Sequence, residues 1–115
     1  MPPGQTTVDE FEAAILGRLA LKAPNLLPVL GRLHVLSREF TGVGSFTSFQ
    51  AGAEIEALAN GPISLDALIS VPGVPTGLGA LLFVKEGFPN LLEIHTFGNE
   101  LWDGTSVGFN IPEGL

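Results

Sequence analysis

Sustained helical periodicity occurs once in this chain, and a proline ends it. Val8, Phe11, Ile15, Leu16 and Leu19 recur at the three-and-four spacing of one helix face. Thr7 with Glu10 three residues on has the spacing of a capping box. Asp9 and Glu10 fall in the first turn, where the helix dipole favours anions. Lys22 stands near the end and Pro24 stops the helix. The spacing predicts a helix over 8–22. Beyond Pro24 the chain is mostly period-two alternation broken by glycine and proline. The apolar stripe of the helix therefore has a sheet to bury against.

The strands are read from that alternation. Residues 24–31 form a connector with room for a helical turn. Leu33 to Phe40 is a predicted strand, with His34, Leu36, Arg38 and Phe40 on one face and Leu33, Val35, Ser37 and Glu39 on the other. Thr41-Gly42-Val43-Gly44 breaks it as a turn or bulge. Ser45 to Gln50 resumes, with Phe46 facing away from Thr47 and Phe49. Residues 51–62 fit a short helix over Glu54–Ala59 or a strand with Ile55 inward. Ile63 to Val71 alternates as one half-buried strand, and Pro72–Gly77 is a loop. Leu78–Lys85 and Leu91–Phe97 pair as a hairpin around a five-residue loop, Glu86–Asn90. Residues 98–115 read as a loop covering one end of the sheet.

The expected fold is α+β: one domain over 1–115, with 1–6 a flexible tail. An N-terminal helix packs on an antiparallel sheet of four to five strands. One helix covers only part of such a sheet, so the opposite face is left for a partner or a second copy. At 45% hydrophobic and 15% charged residues, the chain has enough apolar surface to fold. It carries 12 Asp+Glu against 5 Lys+Arg, a formal charge of -7. That balance argues against a phosphate-backbone binder. With no cysteine, disulfides, thiolate metal sites and a thiol nucleophile are excluded. No apolar run approaches the ~20 residues that span a bilayer, and the N-terminus lacks the charge and apolar core of a signal peptide. The expectation is a cytoplasmic protein with no membrane and no nucleic-acid partner.

Few residues carry chemistry. Glu93 and His95 lie two apart in the last predicted strand and point the same way, beside Leu91 and Phe97. Such a pair can exchange protons near neutral pH, or it can be ordinary polar surface. Arg38 could reach Glu93 across the sheet, as an ion pair or a ligand clamp. Trp102, between Glu100 and Asp103, is either an interface anchor or a plug under the C-terminal loop. His34 and His95 with Glu93 or Glu39 make only a weak metal pattern, so no metal and no cofactor is expected. Gly42-x-Gly44 and Gly77-x-Gly79 open no helix and precede no Lys-Ser/Thr, so they mark close backbone approach rather than phosphate loops. No serine sits in a Gly-x-Ser-x-Gly elbow.

The segment Arg38-Glu39-Phe40-Thr41-Gly42-Val43-Gly44-Ser45-Phe46-Thr47 resembles one shared by a group of small uncharacterised bacterial proteins. The likeness extends to the glycine-punctuated strand Gly77–Phe83 and to the closing Leu92–Trp102, about the C-terminal two-thirds of the chain. Ser45 stands where that pattern has an aromatic residue. The resemblance implies a shared fold and a bacterial origin, and no activity.

The leading expectation is a non-enzymatic interaction module, of the immunity or inhibitor kind, that meets a basic protein partner. The alternative is a small ligand-binding or enzymatic domain whose pocket on the uncovered face is lined by Arg38, Glu93 and His95. A homodimer through that face is the third. Acidic residues gather on the first helix (Asp9, Glu10, Glu12) and from the last strand onward (Glu93, Glu100, Asp103, Glu113), and no Lys or Arg follows Lys85.

Overall fold

Asp9, not Thr7, opens the helix. In a computed structural model describing residues 7–50, 60–98 and 100–112, the Asp9 carboxylate accepts from the Glu12 amide at 2.8 Å. The Glu12 carboxylate accepts in return from the Asp9 amide at 2.9 Å. Both Thr7 and Asp9 are followed by Glu at the capping-box spacing; the second pair wins because Glu12 is also fixed from the sheet below it. Helix α1 therefore runs Glu10–Leu19. Leu21 and Lys22 then bond back to Arg18 and Leu19 in a tightened last turn. Pro24–Arg32 is a 3-10 segment, longer than the single turn expected. Its three-residue period puts Leu26 and Val29 above one another, and both are buried.

Among the described residues the sheet has six antiparallel strands: β1 (Val35–Phe40), β2 (Gly44–Phe49), β3 (Gly61–Ser64), β4 (Ile69–Val71), β5 (Val74–Lys85) and β6 (Phe88–Thr96). Their order is β1-β2-β6-β5-β3, and β4 pairs with the same edge of β5 as β3 does. The α+β class and the helix-on-sheet arrangement are as expected; the strand count is one higher. The single strand read over Ile63–Val71 is two, because residues 66–68 leave the ladder between them, after a last bond from the Leu65 amide to Ala80 O at 3.0 Å. Inward facing survives the break: Leu65, Ile69 and Val71 are all buried.

Both hairpin turns are shorter than the glycine and proline content suggested. Pro72-Gly73 alone makes the β4–β5 turn, with Gly73 at φ 91°, the sign a type II turn requires at that position. Glu86-Gly87 makes the β5–β6 turn, both residues at positive φ, 54° and 76°, as in a type I′ turn. The strands absorb the extra residues: β5 begins at Val74, and a register shift at Phe83/Val84 lets β6 begin at Phe88.

One sheet face is the core. Phe49, Leu78, Ala80, Leu82, Leu92 and Ile94 face α1 and the 3-10 segment, with Ile15, Leu16 and Leu19 of the helix fully buried. The other face has no such layer among the described residues. The molecule measures 42 × 38 × 21 Å, and its least dimension is the depth of one sheet plus one layer of helix. No described helix is long and apolar enough to cross a membrane.

The C-terminal segment closes the open end of that sandwich. Trp102 is buried, not an exposed anchor. Its indole N–H donates to Thr105 O at 2.9 Å, and its ring meets Phe11 and Phe40 edge-on at 6.2 and 6.0 Å. Asn110 exchanges two 2.8 Å backbone hydrogen bonds with Ser70. The two readings of residues 51–59, and the tail 1–6, lie outside the described residues.

Candidate functional site

The residues singled out from the sequence are divided between the two faces of the sheet. A register shift between Val35 and Ser37 of β1 reverses the expected facing of Val35, which joins Arg38 and Phe40 on the core side. Arg38 is paired with Thr47 in the register, so its side chain rises toward α1 and cannot meet Glu93. It meets Glu12 instead. Arg38 Nε donates to Glu12 Oε2 at 2.7 Å and Nη2 to Oε1 at 2.6 Å, a bidentate fork. Thr47 Oγ1 donates to Oε2 at 2.7 Å, and the Asp9 amide supplies the fourth bond at 2.9 Å.

The Glu12 side chain is 4% exposed and that of Arg38 17%. Burial pushes the Glu12 carboxyl up, but the hydrogen bonds from Arg38, the Asp9 amide and Thr47, with the charge of Arg38, outweigh it and hold the group below the usual carboxylate range. All the acceptor positions of this carboxylate are used. The cluster braces helix to sheet and leaves nothing for a substrate. Neither Glu12 nor Thr47 could be found from the sequence, since their meeting depends on the long-range docking of α1.

Glu93 and His95 do share the open face, as their spacing requires. The β ladder lays out its rows: Glu39–Phe46–Glu93–Leu81–Ser64, then Ser37–Ser48–Leu91–Phe83–Pro62, with Gly44–His95–Gly79 on the other side of the first. Phe46, Leu81, Phe83 and Leu91 are all half-buried rather than covered. His95 lies between two glycines. A Cβ on Gly44 would collide with the carbonyl of Ile94, and one on Gly79 would lie 2.7 Å from His95 Nε2 and 3.0 Å from Phe97 Cζ. The close approach read from Gly77-x-Gly79 thus has a local cause: the imidazole and the Phe97 ring occupy the space of the missing side chain.

The two rings meet edge-on at 5.4 Å. His95 Nδ1 is 3.7 Å from Glu93 Oε2, beyond hydrogen-bond range, and this buried nitrogen has no partner among the described residues. The two side chains are 30% and 26% exposed.

Beside them lies a cavity of about 400 Å³, lined by His95, Phe97, Gly79, Leu81, Asp66 and Leu68 among others. It opens where residues 66–68 depart from β5, a departure that the alternation over Ile63–Val71 does not announce. Asp66 Oδ1 accepts from Lys22 Nζ at 3.1 Å. His34 is exposed near the far end of β1, and no three His, Asp or Glu side chains cluster as metal ligands among the described residues. Comparisons with protein-family models, with curated proteins and with solved structures returned no match.

Proposed function

We propose that this chain is a non-enzymatic protein-interaction module that presents its open sheet face to a basic partner, in the manner of a small immunity or inhibitor protein. One observation carries the reading: the central rows of that face hold four half-buried apolar side chains, Phe46, Leu81, Phe83 and Leu91, around Glu93. Interface cores have this composition, with apolar and aromatic residues central and few charges among them. The acid surplus supports a basic partner. Among the described residues, Arg38 is engaged internally by Glu12 and Lys22 by Asp66. Each pair cancels one acid against one base, so the formal net charge stays at -7, a surplus that speeds encounter with a cationic surface and discriminates against acidic ones.

Affinity capture from a bacterial lysate tests it, with the wild-type chain and a Phe46→Lys/Leu91→Lys double variant as baits. The reading expects a basic protein held by the wild type at about 50 mM salt and released at roughly 0.5 M, where screening is short-ranged. The double variant should not hold it. A wild-type bait that retains nothing the double variant lacks overturns the reading. Sedimentation over a range of concentrations separates a homodimer through this face from a heterologous complex.

The cavity beside His95 favours a second reading, a small ligand-binding domain. A metabolite screen by thermal shift, with Glu93→Gln and His95→Ala as controls, tests that one. No stabilisation by any compound sinks it.

A further inference from the structure

We propose that the cavity beside His95 seats an arginine side chain of the basic partner, an inference that rests on the interaction reading above. At about 400 Å³ the cavity falls in the range of sites that enclose a small ligand. Its mouth is apolar and open: Leu68 is 53% exposed and Phe97 44%. Leu81 continues that surface inward. An aliphatic stem with a charged head is the kind of group that lies along such a wall.

The polar groups select the head. Asp66 lines the cavity and gives one carboxylate oxygen to Lys22, which does not line it. A carboxylate has further acceptor positions to offer. Glu93 does not line the cavity, but its carboxylate lies 3.7 Å behind the lining residue His95 and adds to the negative potential there. Among the described residues no lysine or arginine lines the cavity, and two aromatic rings, at 81° to one another, do. The Asp66 carboxylate, the two rings and a net charge of -7 are complementary to a cation. Arginine fits better than lysine: its planar, weakly hydrated guanidinium stacks on rings and forks onto carboxylates.

Gly79 keeps the seat open. The imidazole and the Phe97 ring settle back against β5 only because no Cβ stands there. Alanine at that position would drive both rings outward, without removing any polar group the guanidinium would meet.

The test uses the full chain and two blocked pentapeptides, Gly-Gly-Arg-Gly-Gly and its citrulline analogue, which keeps the shape and loses the charge. Ring-proton resonances of His95 and Phe97 report occupancy. The expected result is a saturable shift with the arginine peptide and one at least about fivefold weaker with citrulline. Asp66→Asn and Gly79→Ala should each weaken the arginine response by about threefold or more. Asp66 is exposed and outside the core, so that variant serves even if Gly79→Ala fails to fold. Equal responses to the two peptides would show that the positive charge plays no part in binding and overturn the proposal. So would no saturable shift up to about 20 mM peptide. Phe46 and Leu91 do not line the cavity. A partner captured through them, with an inert arginine peptide, would therefore remove the arginine seat and leave the interaction module standing.

Discussion

Each face of this sheet carries an acid and a base, and the two pairs differ in everything but their ingredients. On the helix side Glu12 and Arg38 are joined by a bidentate fork, closed by Thr47 and the Asp9 amide, and sealed under α1. On the open side Glu93 and His95 stand 3.7 Å apart with no hydrogen bond between them. Burial decides the difference. A carboxylate taken out of water must be fully bonded or it destabilises the fold, so every acceptor on Glu12 is used. A carboxylate that keeps about a quarter of its surface in water can wait for a partner. Spent polar groups hold structure together; unspent ones are available for recognition.

The largest expected effect breaks that contrast at its firm end. Arg38→Ala leaves a buried carboxylate without its cation and should cost about 3–5 kcal/mol in urea unfolding. A loss below about 1 kcal/mol would show that Glu12 is effectively solvated, and the two faces would then differ little. Next is Gly44→Ala on the open face, where a methyl would strike backbone rather than a movable side chain. A loss at the upper end of the roughly 1–3 kcal/mol typical of overpacking is expected from thermal unfolding.

A smaller and graded effect comes from acid. The folded-state pKa of Glu12 lies below its reference value of 4.5. The stability it contributes is therefore present above that value and is lost as pH falls through the lower, folded one. Unfolding curves between about pH 5 and 2 should show this loss, and Glu12→Gln should flatten it. The smallest effects belong to the loose pair: Glu93→Gln and His95→Ala should each shift stability by less than about 1 kcal/mol. A larger shift in chemical-denaturation experiments would mean that this pair, too, is structural.

The local features of the fold were legible. The helix stripe, the β5–β6 hairpin and the shared face of Leu91, Glu93, His95 and Phe97 all follow from periodicity, which depends on near neighbours alone. The failures come from single residues that change the phase. Leu36 sits in the irregularity that puts Val35 on the same face as Arg38, and no pattern in Leu33–Phe40 announces it. Thr7 and Asp9 are equally good caps on paper; a guanidinium 26 residues downstream of Glu12 chose between them. At the candidate site the sequence supplied Glu93 and His95 but not Asp66, because residues 66–68 keep the apolar alternation while leaving the ladder. Trp102 and Arg38, singled out for their chemistry, serve the core.

The ring cluster at the end of the sandwich sets an order on synthesis. Phe11 meets Trp102 at 6.2 Å and Phe109 at 5.0 Å, yet the helix residue leaves the ribosome long before either partner exists. At the 5–20 residues per second typical of translation, α1 spends roughly several seconds with its apolar stripe exposed. Asp9, Glu10 and Glu12 put three negative charges at the start of that nascent segment, and one of them is afterwards consumed in the Arg38 fork.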